Sequence, residues 1–89
     1  MKVSDIVTKV IKKEDEDGDI SFAIKALIEN DSDDEDIYVN LQGLDSDGFE
    51  IYDVTLTGKI SIGKSNTLTT KVTYINKELF EQIVTWQDK

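Results

Sequence analysis

Asp15, Asp17 and Gly18, followed by Ile20, have the spacing of the middle of a twelve-residue calcium loop, with alternating carboxylates before a glycine that makes the sharp turn. Setting Gly18 at position 6 puts Asp15 and Asp17 at the third and fifth ligand positions and Ile20 at the eighth. The first position then falls on Lys13 and the twelfth on Ile24, where the ion requires a carboxylate and a bidentate glutamate. An ammonium at the first ligand position is worse than a gap, and the flanking residues alternate like strands. The stretch therefore reads as a solvated acidic turn before a strand. A second run, Asp31, Asp33, Asp34, Glu35 and Asp36, crowds like charges on one connection and would welcome Ca²⁺ as a counter-ion. A Ca²⁺-binding domain using these loops is thus the alternative function. Coordination needs several oxygens converging from set directions, which spacing within one loop does not supply, so neither a metal nor another cofactor is expected.

The inventory for catalysis is thin. There is no histidine and no cysteine, and Ser4, Ser21, Ser32, Ser46, Ser61 and Ser65 stand in turn-like contexts. Paired carboxylates do acid–base work only when one is buried with a raised pKa, and these acids sit in polar runs. The chain does not read as an enzyme. A net charge of −9 and a pI near 4.3 repel nucleic acid and anionic membranes. All ten cations are lysines, so bidentate arginine recognition of phosphate or guanine has no agent. No apolar run approaches the ~20 residues of a membrane helix, and no signal-peptide block opens the sequence, which leaves a cytoplasmic location as the default expectation.

Aromatic residues raise a different question. Phe22, Phe49, Tyr74 and Trp86 make either an exposed binding patch or core, and the alternation around most of them favours core. The expected core is Phe22, Ile24, Leu41, Val54, Leu56, Val72 and Trp86. The threonine-rich stretch 67–73 reads as an outer face or an edge. Because an edge strand accepts a partner's strand, this stretch is the best candidate for contact with another protein.

The elements that must position these residues follow from charge and periodicity. Between Glu14 and Asp53 lie fifteen carboxylates and one cation, Lys25, whereas nine lysines face four acids outside that span. The acids gather at three bends: 14–19, 31–36 and 45–47. Between them apolar and polar residues alternate, the period of a half-buried strand. Residues 3–13 fit a helical stripe as well, yet every apolar residue there is β-branched, which favours strand. Asp45-Ser46-Asp47-Gly48 predicts a tight turn. Beyond it the apolar parity switches from Phe49 and Ile51 to Tyr52, Val54 and Leu56, so a bulge is expected near Tyr52-Asp53. Gly63-Lys64-Ser65-Asn66 predicts another turn, and Asn76 caps a single helical turn over 77–82. With no proline anywhere, edge protection falls to lysines, bulges and charge. About seven short strands at ~8–12-residue spacing predict one all-β domain over 1–89, an antiparallel β-sandwich.

Residues Ile20–Asp36, followed by Ile37-Tyr38-Val39-Asn40-Leu41-Gln42-Gly43-Leu44-Asp45-Ser46-Asp47-Gly48-Phe49, resemble the bacterial FxLYD-type immunoglobulin-like domains. The motif falls on Leu41-Gln42-Gly43-Leu44-Asp45: Asp45 matches, Leu41 and Leu44 are similar, and Gly43 departs. Asn30, Gly63 and Trp86 also suit the pattern, over 18–88. The resemblance implies an immunoglobulin-like sandwich serving as a surface or envelope accessory module without catalytic residues.

Overall fold

A computed structural model describes residues 1–13 and 15–89; Glu14, assigned by its sequence to the first acidic bend, lies outside the described residues. Among the described residues the elements run β1 (Lys2–Lys12), β2 (Asp19–Glu29), β3 (Asp36–Leu44), β4 (Glu50–Lys59), β5 (Ser65–Asn76), α1 (Lys77–Gln82) and β6 (Thr85–Asp88). They form two three-stranded antiparallel sheets, ordered β1-β2-β5 and β4-β3-β6. The helix-or-strand ambiguity of residues 3–13 resolves as β1, as its β-branched side chains dictate.

Both sheets contribute to one core. The inward positions of β2 are Ile20, Phe22, Ile24, Ala26 and Ile28, all buried. Ile37, Val39 and Leu41 of β3 join them, with Val54 and Leu56 of β4, Ile60 and Ile75. Each large aliphatic or aromatic side chain so buried contributes roughly 1.5–3 kcal/mol, which drives both strand faces together. Five of the seven expected core residues belong to this cluster. Val72 and Trp86 are only half-buried and pack against it, because β5 and β6 are edge strands.

Three local expectations meet the structure closely. Asp45 closes its turn through Oδ1, which accepts from the Asp47 and Phe49 amides at 3.0 and 2.9 Å. The Asn76 side chain caps α1, accepting from the Glu78 and Leu79 amides at 3.0 and 3.3 Å. The bulge is real and sits one residue early: Gly43 pairs with Tyr52 and Leu44 with Glu50, leaving Ile51 as the extra residue.

Others need correction. There are six strands among the described residues, not about seven, because β4 runs unbroken through Gly58 and Ile62 falls in the turn before β5. Phe49 and Tyr74 are not core: each is 70 % exposed. Phe49 lies in the turn ahead of β4. Tyr74 sits in a bulge, since Val72 pairs with Phe22 and Ile75 with Ile20 across the register shift. Its φ of 61° is costly for a bulky residue, about 1–2 kcal/mol. Tyr74→Gly should therefore raise stability by about 1 kcal/mol after the extra chain entropy of glycine is offset. A lowered melting temperature would show that Tyr74 contacts outweigh the strain.

The motif position Gly43 has a packing cause. A Cβ there would lie 3.0 Å from Ile83 Cγ2 and 3.2 Å from Trp86 Cη2, so the two side chains rest directly on the β3 backbone. Gly43→Ala should cost about 1–3 kcal/mol by overpacking, read as a shift in urea midpoint. An unchanged midpoint would mean that Ile83 and Trp86 retreat freely.

Candidate functional site

The acidic bends turn their oxygens onto their own backbone. Asp15 Oδ1 accepts from the Asp17 and Asp19 amides at 2.9 and 3.0 Å, and Asp34 Oδ1 accepts from the Asp36 amide at 2.9 Å. These local bonds stabilise turns. Among the described residues no three carboxylates converge on a point that would suit a metal ion. The Met1 amino group lies 2.5 Å from Asp31 Oδ1 and holds that exposed carboxyl below its ordinary pKa. Lys89 Nζ lies 2.8 Å from Glu50 Oε1, which raises the lysine pKa.

Charge crowding on these bends makes a salt prediction. Exposed carboxylates repel through solvent, and the repulsion is screened to about 8 Å at physiological ionic strength. The melting temperature should rise between about 10 and 200 mM NaCl. A fall over that range would show that attractive pairs dominate.

At the end of the molecule bearing the second bend, Asn30 is fully buried and fully bonded. Its Nδ2 donates to the Ile60 and Asp34 carbonyls at 2.7 and 2.9 Å, and its Oδ1 accepts from Ser32 Oγ and the Ser32 amide at 2.6 and 3.1 Å. Its backbone also bonds to Lys64 and Gly63. Asn30 therefore ties the β2–β3 connection to the β4–β5 turn. The tie is not visible in the sequence, since the partners across it, Ile60, Gly63 and Lys64, lie thirty or more residues away.

A shallow groove of about 370 Å³ lies between the end of β1 and α1, lined by Val10, Ile20 and Phe80 with Lys13, Lys77 and Glu81 around it. It brings no nucleophile beside a base. The candidate serines do not cluster with one either: Ser21 is buried in β2, and Ser32 Oγ is engaged by Asn30.

More distinctive are the sheet edges. In the first sheet β1 and β5 each pair on one side, with β2, and leave the other side open; in the second β4 and β6 do the same about β3. The threonine-rich stretch lies on β5, with Thr67, Thr69, Lys71 and Thr73 exposed. Register also assembles a basic face from three distant lysines. Lys9, Ala23 and Lys71 lie in one row across β1-β2-β5, and Val7, Lys25 and Thr69 in the next. The signal was present in strand parity, but it needs the pairing register to be read.

Comparison with protein-family models, with curated proteins and with solved structures finds no match.

Proposed function

We propose that this chain is a non-catalytic interaction module, an immunoglobulin-like β-sandwich that holds a partner polypeptide along an open sheet edge. The carrying observation is the form of the first sheet: strands of eleven and twelve residues bound it, each hydrogen-bonded on one side only. Such an edge presents a row of free backbone donors and acceptors, a template for an added strand. The sandwich reading is supported by the shared core and by the connections, since β2–β3 and β4–β5 pass from one sheet to the other while β1–β2 and β3–β4 are hairpins. The motif resemblance, with Asp45 fixing its turn, points the same way.

Selection of a displayed library of extended peptides on the immobilised chain, mapped by amide chemical shifts, tests the reading. Selected peptides should perturb one edge strand. Perturbation confined to residues 15–19 or 31–36, or a melting temperature raised by Ca²⁺ at constant ionic strength, would overturn it.

A further inference from the structure

We infer that β5 is the docking edge and that its occupant is an extended, acidic segment of a partner protein, added as a fourth strand beside β5; this rests on the interaction-module reading above. The four open edges differ in how they are guarded. Charged side chains and bulges blunt an edge against strand addition, and very short strands offer little ladder. β1 carries Lys2, Asp5, Lys9 and Lys12 and is broken by two register shifts, with Asp5 at a φ of 52°. β4 carries Glu50, Asp53 and Lys59 and the bulge at Ile51. β6 is four residues long.

β5 has none of these guards over most of its length. From Ser65 to Thr70 it contains no charge, and from Ser65 to Val72 its register with β2 shifts nowhere. Leu68 and Val72 on its inner side are half-buried, so apolar surface remains for an added strand to cover. β4 meets β5 where Leu68 lies over Gly58, but the two belong to different sheets and form no ladder. The regular stretch ends at the bulge that holds Tyr74 outward, in a strained backbone conformation and 70 % exposed. An aromatic held out at such a cost beside a free edge is placed as an anchor.

The occupant's chemistry follows from charge. Lys9, Lys25 and Lys71 share the outer face of this sheet, whose acids, Asp5 near Lys25 and Glu29 at the end of β2, lie away from Lys71. The ion pairs among the described residues are made by the Met1 amino group, Lys59, Lys77 and Lys89, and none by those three lysines. A strand added beside β5 places alternate side chains on that face, about 4.5–5.5 Å from Thr67, Thr69 and Lys71. Carboxylates at those positions meet Lys71 directly, while Lys25 lies one strand further in, across Thr69. A second copy of the chain is less suited: antiparallel β5–β5 pairing would set lysines on one shared face, and each chain carries a net charge of −9.

The test is an amide-shift titration of the intact chain with a synthetic peptide of about ten residues alternating valine and glutamate. Three comparisons accompany it: the valine–lysine counterpart, a glutamate peptide methylated at every backbone nitrogen, and the variant Lys71→Glu. The glutamate peptide should shift residues 65–74 and bind several-fold more tightly than the lysine peptide at low salt. Lys71→Glu should weaken it about fivefold, the scale of an exposed charge pair reversed, and methylation should abolish binding because the ladder loses its donors. Shifts mapping to β1, β4 or β6 would overturn the assignment of β5 while leaving the module reading intact. Equal binding of both peptides at β5 would overturn the acidic occupant. Sedimentation showing a dimer with protection at 65–72 would replace it with a second copy, and failure of every peptide to bind would count against both readings.

Discussion

Replacing Asn30 by aspartate is expected to remove about 3–5 kcal/mol of stability at pH 7, most of what a domain of this size possesses, and to return much of it by pH 3. The substitution keeps the shape and exchanges two amide protons for a lone pair. The Asn30 amide nitrogen now donates to the Ile60 and Asp34 carbonyls at 2.7 and 2.9 Å. A carboxylate there would face two carbonyl oxygens without a proton between them, in a position with no exposed surface and with Asp31 and Asp34 nearby. Burial and like charge both raise its folded pKa above the unfolded value of about 3.9. A group so shifted contributes its stability fully below the unfolded pKa and loses it as pH rises toward the folded one, at up to about 1.4 kcal/mol per unit. Below pH 4 the protonated carboxyl still offers one donor, so the residual cost should be about 1–2 kcal/mol, a single lost hydrogen bond. Urea midpoints of wild type and variant from pH 3 to 7 measure the difference, in which the other carboxylates largely cancel. A gap independent of pH would show the carboxylate reaching water, and the rigid tie between the two loops would then be wrong.

What was legible in the sequence divides by the range of the interaction. Strand positions 20–28 and 37–41 follow from period-two alternation, which is local. The Asp45 turn and the Asn76 cap are equally local, each fixed by one side chain reaching amides two to four residues ahead. Even the bulge at Ile51 left a trace, because a switch in apolar parity has to be absorbed somewhere. Tyr74 left none: its parity fits the inner face of β5, and only the register against β2 shows that Thr73 and Tyr74 share the space of a single partner residue. Asn30 is one polar letter beside an acidic run, and its meaning depends on Ile60, Gly63 and Lys64. The basic face is similar. Lys9, Lys25 and Lys71 stand far apart in a chain with nearly twice as many acids as lysines, so composition points away from it. A local basic face is invisible in net charge when it is built from residues far apart in the chain.

Phe22→Ala should be the most damaging truncation in the core, at about 3–5 kcal/mol. Trp86, also among the expected core residues, is the larger side chain. Trp86, however, is half-buried on a four-residue strand held through β3. Phe22 has no exposed surface and lies on β2, the central strand of its sheet, with Val10 and Val72 as its cross-strand neighbours. Its ring centroid lies 4.7 Å from that of Phe80 and 5.9 Å from that of Trp86. One side chain thus joins the middle of the first sheet to α1 and to the edge of the second, and its removal leaves a cavity that three separate elements would have to close. Such elements shift independently, so collapse is partial and the cavity cost remains. Trp86→Ala, by contrast, removes surface that already meets water on one side, and should cost about 2–3 kcal/mol. The lone tryptophan reports the difference directly. In Phe22→Ala its emission should shift to the red at urea concentrations below the main transition, as α1 and β6 loosen before the paired strands. Coincident fluorescence and circular-dichroism transitions, with a midpoint near wild type, would refute the junction role of Phe22 and return the heavier share to Trp86.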